Sequence, residues 1–196
     1  MIQVDFAFPH RYEIKEPPEL PGAGQNSLPV YYFPRLGVRP ERDGHWVQVV
    51  PASGLPWLGV FRGSRYTFSR LLSTPKPDQF CVVAEGQGYL VHAASPDEWQ
   101  EIDMAPITSA RPVAESGLLI LTTFHMLAAL GVAGLAWKSP LVCWDDLCIS
   151  RADSERIEGT GHDPTSESAQ MRFSVDTKTG DSLIAAPRSM DGRPFW

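Results

Sequence analysis

The segment 117–137, GLLILTTFHMLAALGVAGLAW, constrains the fold of this chain more than any other feature. It contains no formally charged residue, and about 20 apolar residues are enough for a helix to cross a membrane. Polar side chains at Thr122, Thr123 and His125 interrupt its middle, and two glycines near its end indicate a turn. The segment is therefore a membrane helix, a buried helix or a set of buried strands.

A comparison of the chain with itself favours strands. The segment 78–99, DQFCVVAEGQGYLVHAASPDEW, aligns with 116–137 without a gap, and Trp99 then falls on Trp137. The earlier segment carries four acidic residues and two turn signals, which a membrane helix would not contain. It is typical of a strand, a turn near Gly86–Gly88, a second strand and a second turn.

The same pattern predicts how the later segment folds. We expect a strand at 118–124, a pairing strand near 126–130, a turn at 131–134 and a new strand entering at 135–137. Apolar runs without alternation suit strands that are covered on both faces. On this interpretation the segment is sheet inside a water-soluble body.

Most of the remaining chain also consists of short strand patterns separated by turn residues. Further strands are predicted at 2–8, 30–33, 45–50, 57–61, 66–72, 106–113, 141–144, 147–150, 155–159 and 172–175. The pair Asp145-Asp146 and the segment 176–180 have the composition of hairpin turns. The fold class predicted is all-β: an antiparallel sandwich or a barrel-like domain of many short strands, with two blade-like sheets as the alternative arrangement.

The length of 196 residues fits one domain. We expect a single all-β domain over 1–181 and a C-terminal tail at 182–196. Prolines are frequent before residue 57, and the segment 15–29, KEPPELPGAGQNSLP, is predicted to be a Pro-rich loop.

Composition narrows the possible functions. Hydrophobic residues make up 43% of the chain and charged residues 20%, and the formal net charge is −6. This balance is typical of a soluble protein and argues against nucleic acid as the main partner. Three cysteines make a poor disulfide framework, and the first fifteen residues lack a signal-peptide pattern. We therefore expect a cytoplasmic protein without a membrane partner.

A search for catalytic and cofactor motifs finds no strong signal. The histidines and cysteines lack the spacing of a metal site, and the short glycine pairs lack a phosphate-binding pattern. Cys81 and Cys143 lie in apolar segments, where a thiol stays protonated. Ser69 lies near a turn, but no base is evident for it. We expect no metal and no cofactor.

Tryptophans near turns are the best candidates for a partner or ligand surface. Trp57 lies in GLPWLGVFRG together with Arg62, and Trp144 lies in CWDDL together with Asp145 and Asp146. We expect the rings of Trp57 and Trp144 to be exposed. The alternative, which is the commoner role of tryptophans near turns, is that the rings cover the ends of a sheet core.

Four short motifs resemble a widespread group of small bacterial all-β proteins that have no assigned activity. These motifs are GVAGLAW at 131–137, WDDL at 144–147, IEG at 157–159 and VDTKTG at 175–180. They match a GL-W segment, a WDGL-type turn, a following strand and a closing VDLxTG strand. The resemblance covers 45–181 and implies an all-β fold, a bacterial origin and no particular activity. The chain departs from the pattern at Asp146, where the group has glycine.

The leading hypothesis is a non-enzymatic binding or accessory protein that contacts another protein within a bacterial system. One alternative is an enzyme that uses turn carboxylates such as Asp145 or Asp163. The other is a carbohydrate-binding module that uses Trp57 or Trp144. The sequence leaves the oligomeric state open.

Overall fold

The computed structural model of the chain describes residues 2–15, 28–35, 43–164 and 170–184. The predicted Pro-rich loop falls largely on 16–27, which lie outside the described residues, as does the predicted tail from residue 185 onward.

The chain forms two compact units, Met1–Pro106 (unit 1) and Ile107–Trp196 (unit 2). Among the described residues the regular structure is strand throughout, apart from one short helical turn at Ala114–Ser116. The all-β fold class is therefore confirmed. The single domain over 1–181 stays a prediction.

The strands of unit 1 form two sheets. In chain order they are β1 (Gln3–Asp5), β2 (Tyr12–Lys15), β3 (Val30–Phe33), β4 (His45–Pro51), β5 (Trp57–Phe61), β6 (Arg70–Ser73), β7 (Gln79–Ala84), β8 (Gln87–His92) and β9 (Trp99–Glu101). One sheet has the order β2-β4-β5-β3 and the other β1-β6-β7-β8-β9. Their pairings are antiparallel except for β1–β6 and β3–β5.

The two sheets of unit 1 share one core that is rich in aromatic rings. Alternate residues of the central strands point into it, as the two-residue period of a strand requires; Phe80 and Val82 on β7 are examples. The rings of Phe33 and Phe61 stack with their centroids 4.7 Å apart. Burying a side chain such as Phe80 stabilises the fold by about 1.5–3 kcal/mol.

Unit 2 also contains two sheets. Its strands are β10 (Ser109–Val113), β11 (Leu118–Thr122), β12 (Leu127–Gly131), β13 (Gly134–Lys138), β14 (Asp145–Ala152), β15 (Arg156–His162) and β16 (Gln170–Asp176). The sheet orders are β10-β11-β12-β13 and β14-β15-β16, with antiparallel pairing throughout.

The core of unit 2 is mainly aliphatic, with Trp137 and Phe173 as its buried rings. The indole N–H of Trp137 donates to the carbonyl of Thr177 at 3.0 Å. Gly180 lies against the indole face, where a Cβ would come within 2.6 Å of a ring carbon. The turn after β16 therefore closes over Trp137 and ties the two sheets together.

The segment 117–137 is sheet, which confirms the interpretation drawn from its alignment with 78–99. It contains β11, β12 and most of β13, and every residue of β11 is buried. Among the described residues, no helix has the length and apolar character that a membrane span needs.

Four strand predictions need correction. The strand predicted at 2–8 covers only Gln3–Asp5. The segment 141–144 forms no strand, because its groups bond to the β11–β12 connection: the Val142 N–H donates to the His125 carbonyl at 2.9 Å. The strand predicted at 66–72 begins only at Arg70, and the one predicted at 106–113 only at Ser109.

The pair Asp145-Asp146 is not a hairpin turn but the start of β14. The register with β15 shifts between Asp145 and Cys148, which marks a bulge. Asp146 has a φ of 53°, a left-handed conformation that aspartate tolerates better than most residues. This conformation explains why glycine would suit the same position in the resembling motif.

Candidate functional site

The two tryptophans proposed for a contact surface differ in exposure. Trp57 is only 2% exposed, which corrects the expectation that its ring lies on the surface. Its indole N–H donates to the Ala93 carbonyl at 2.7 Å, and its ring packs edge-on against Tyr31 with centroids 5.5 Å apart. A ring held in this way cannot stack on a sugar or insert into a partner.

Arg62 directly follows β5 in unit 1, and its side chain is exposed. Its backbone is fixed on both sides. The Arg62 N–H donates to the Phe33 carbonyl at 2.9 Å, and the Tyr89 hydroxyl donates to the Arg62 carbonyl at 2.8 Å. Burial raises the pKa of Tyr89, so this hydroxyl remains a donor.

Trp144, Asp145 and Asp146 lie together in unit 2. Trp144 is half-buried, and its backbone N–H donates to the carbonyl of His162 at 2.9 Å. Both aspartates are exposed, and the Asp145 carboxylate accepts the Asp146 N–H at 2.8 Å. Asp145 lies directly across from His162 in the ladder. The structure thus brings three of the five candidate residues together, with Trp57 and Arg62 in the other unit.

Sequence interpretation missed a serine–histidine pair in unit 1. The Ser69 Oγ lies 3.2 Å from the His45 Nε2 and also accepts the N–H of Glu85 at 2.9 Å. The pairing could not be predicted because the two residues belong to separate segments that only the folded sheets bring together. The hydroxyl serves a backbone donor and an imidazole at once, so we assign it to holding the turn at Glu85.

That turn, Glu85–Gly86 between β7 and β8, is bound to the β5–β6 connection, and we call it the locked tip. The Glu85 carbonyl accepts the backbone N–H of Ser64 at 3.2 Å and that of Tyr66 at 3.0 Å. The Ser64 hydroxyl donates to the same carbonyl at 2.7 Å. The Gly86 N–H donates to the Phe68 carbonyl at 2.8 Å. The locked tip is therefore part of the framework.

The end of the β12–β13 hairpin, Gly131–Ala136, is different, and we call it the apolar tip. Val132 is 66% exposed and Leu135 is 49% exposed. The alanines beside them are exposed as well. Among the described residues, no hydrogen bond outside the β12–β13 ladder involves 132–136. The sequence signal was an uncharged turn, GVAGLA, where turns usually carry polar residues.

The apolar tip is distinct from the other exposed apolar side chains. Val4 is 46% exposed and Leu55 is 79% exposed, but each stands alone, Val4 between Gln3 and Asp5 and Leu55 between Gly54 and Pro56. Leu183 and Ile184 directly precede residues outside the described part of the chain. Clustered exposed apolar residues mark interaction sites more often than single ones do.

Two of the three cysteine thiols, those of Cys81 and Cys143, are buried. Burial raises the pKa of Cys81 to about 12 and that of Cys143 to about 12. Cys148 is exposed on β14. Within the described ranges, no three histidine, cysteine, aspartate or glutamate side chains come together as a metal site would require.

Two aspartates stabilise turns in unit 2. The backbone N–H groups of Arg156 and Glu155 hold the pKa of Asp153 below its usual value. Those of Lys178 and Thr179 do the same for the pKa of Asp176. These carboxylates are acceptors within their own turns, which is a structural role.

No protein-family model matches the chain, and no curated protein matches it. Among solved structures, the chain is similar to the N-terminal domain of Nup159, with 11% identity and a TM-score of 0.40 over 97% of this chain and 56% of that one. It is also similar to a complex of an S. cerevisiae Dbp5 variant with Nup159, a Gle1 variant, IP6 and ADP. There the identity is 9% and the TM-score 0.32 over 92% of this chain and 68% of that one. The chain spans only about half the length of the first structure, and similarity at this level carries no argument about function.

Proposed function

We propose that this chain is a non-enzymatic binding protein, that its partner is another protein, and that the apolar tip makes the contact. The observation that carries the proposal is the exposure of both Val132 and Leu135 on one uncharged hairpin. Removing apolar surface from water stabilises an interface by about 25 cal/mol for each Å² buried. A polar turn would have been the usual choice at this position.

The residues predicted from the sequence are weaker candidates for a contact surface than the apolar tip. Trp57 is a core residue, and the Asp145 carboxylate already accepts a hydrogen bond within its own bulge. Arg62 in unit 1 and Trp144 in unit 2 stay predictions as partner-surface residues. A bacterial setting and a cytoplasmic location stay predictions.

The test compares capture of proteins from a lysate of the source organism by three forms of the chain. Val132→Asp places a charge at the centre of the apolar tip. Leu55→Asp makes the same change at an exposed residue of unit 1 and serves as the matched control. We expect wild type and Leu55→Asp to retain a common protein that Val132→Asp loses. If Val132→Asp captures the same proteins as wild type, the apolar tip is not the contact.

A further inference from the structure

The edges of the two sheets in unit 2 are protected unequally. An edge strand exposes backbone N–H and carbonyl groups that can pair with another chain, and natural proteins usually cover or interrupt such edges. The edge of β14 is covered: the Leu147 N–H donates to the Phe124 carbonyl at 3.1 Å, and Arg111 donates to the Ile149 carbonyl at 3.3 Å.

Two further edges are also protected. The segment after β16 turns back along it, and the Leu183 N–H donates to the Ser174 carbonyl at 2.8 Å. On β10, Pro112 has no N–H to offer, and Arg111 adds an exposed charge. Three of the four edges therefore resist pairing with another chain.

The remaining edge belongs to β13. It contains no proline, and its one charged residue, Lys138, stands at its end. Among the described residues, its side away from β12 has no neighbouring strand. The ladder register shifts opposite Ala129 and Leu130, which leaves Ala136 as a bulged residue. A bulge twists the strand and prevents long, flat pairing, but it leaves room for a short segment.

Deepening the proposed function, on which this inference rests, we propose that an extended segment of the partner protein pairs with β13 and becomes a fifth strand of the β10–β13 sheet. The size of the edge favours a segment over a second folded copy. Five residues of strand span about 17 Å, whereas stable complexes of folded proteins bury about 800 Å² on each side. An extended peptide gains main-chain hydrogen bonds and does not need so large a surface.

The apolar tip also sets the chemistry of this segment. Residues 131–137 contain no charged side chain. A charged partner residue placed beside Val132 or Leu135 would lose hydration without gaining a counter-charge. The partner segment is therefore uncharged over the residues that face the apolar tip, with main-chain donors and acceptors available along one edge.

The experiment uses the full chain and a synthetic probe that copies β12, the strand to which β13 already pairs. The probe is the peptide Leu-Ala-Ala-Leu-Gly flanked by lysines for solubility. A second peptide carries N-methyl groups at alternate amides, which removes donors and keeps the side chains. Backbone NMR of the labelled chain follows the amides of Gly134–Lys138 during each titration. We expect shift changes and slowed amide exchange with the first peptide and neither with the second.

Leu135→Pro and Leu135→Ala form a matched pair of variants. Both remove the leucine side chain, but only proline also removes the backbone N–H. We expect Leu135→Ala to keep slowed exchange on peptide addition and Leu135→Pro to lose it, with circular dichroism confirming that both fold. Equal responses to the two peptides, or no response to either, overturn strand addition. Loss of partner capture by Val132→Asp would then still support the proposed function, so the two failures are distinguishable.

Discussion

Two hairpin tips of this molecule show opposite ways of ending a pair of strands. The locked tip at Glu85–Gly86 is bound to the β5–β6 connection by four hydrogen bonds to or from its backbone, and Ser69 adds another. The apolar tip at Gly131–Ala136 exposes Val132 and Leu135 and, within the described chain, makes no hydrogen bond beyond its own ladder.

The difference separates framework from contact surface. A turn that satisfies its groups internally gains stability and has little left for a partner. An apolar turn without such bonds adds little to the fold, so its sequence is free to serve binding. This reasoning predicts that equivalent substitutions at the two tips affect different properties.

The largest expected effect comes from Gly86→Ala in the locked tip. Gly86 has a φ of 85°, and an added Cβ would come within 2.8 Å of the Tyr66 Cβ. We expect the free energy of unfolding to fall by about 2–3 kcal/mol, because backbone strain and a close contact add together. Urea denaturation followed by circular dichroism measures the change.

Gly131→Ala is the matched control in the apolar tip. A Cβ there would meet the Leu118 Cδ2 at 3.5 Å, which is an ordinary contact. We expect a change within about 0.5 kcal/mol. Equal losses at the two glycines would contradict the distinction between the tips.

A smaller effect is expected from Ser69→Ala. The change removes the acceptor of the Glu85 N–H and the neighbour of the His45 imidazole. The expected loss is about 1 kcal/mol of unfolding free energy, typical of one hydrogen bond. Ser150→Ala is the control: its hydroxyl donates to the Glu158 carbonyl at 3.1 Å, but the residue is exposed and water can replace that bond, so stability should change by less than about 0.5 kcal/mol. A neutral Ser69→Ala would show that the locked tip does not need this hydroxyl.

A third kind of turn, after β16, is held by a charge and therefore responds to pH. The pKa of Asp176 is lowered in the folded chain, chiefly by the N–H groups of Lys178 and Thr179. A lowered folded-state pKa stabilises the protein above the unfolded-state pKa, and this contribution is lost as the pH falls through the folded value.

Asp176→Asn keeps an oxygen acceptor and removes the charge. We expect its melting temperature to lie below that of wild type at pH 7 and to approach it as the pH falls below the ordinary aspartate range. Asp153→Asn should behave alike, because Asp153 accepts from Arg156 and Glu155. If the difference in melting temperature between a variant and wild type is the same at pH 7 and pH 3, the carboxylate charge does not stabilise these turns.

The smallest effect on stability is expected at the apolar tip itself. Val132→Thr keeps the side-chain shape and replaces one methyl group by a hydroxyl, at a residue that is 66% exposed. The free energy of unfolding should change by less than about 0.5 kcal/mol. Thermal unfolding by calorimetry measures it, and a loss above about 1 kcal/mol would show that the tip is packed and not available to a partner.

Sequence patterns predicted the sheet elements well where the signal was local. The strands within 117–137 and their turn followed from an aligned segment that contained clear turn residues. Sequence patterns failed where hydrogen bonds to a distant part of the backbone determine the local structure. The segment 141–144 looked like a strand, yet its N–H and thiol groups bond to the β11–β12 connection.

The candidate site was harder to predict than the fold. Proline and glycine around Trp57 suggest an exposed turn. Its ring instead packs against Tyr31 and its indole N–H donates to the Ala93 carbonyl, and both residues are far from Trp57 along the chain. Composition alone predicts a turn at Asp145-Asp146, whereas the bulge that places the pair in β14 depends on the register with β15. Ser69 and His45 have no spacing signal, since only the folded sheets bring them together.

The placement of the cysteines gives each unit its own reporter. Cys81 is buried in unit 1, Cys143 is buried in unit 2, and Cys148 is exposed. In the native chain an alkylating reagent should modify Cys148 first, because it is the exposed thiol of the three. Modification of Cys81 or Cys143 requires the surrounding sheet to open. The rates at which the two are modified, followed by peptide mass spectrometry, would show which unit opens locally more often.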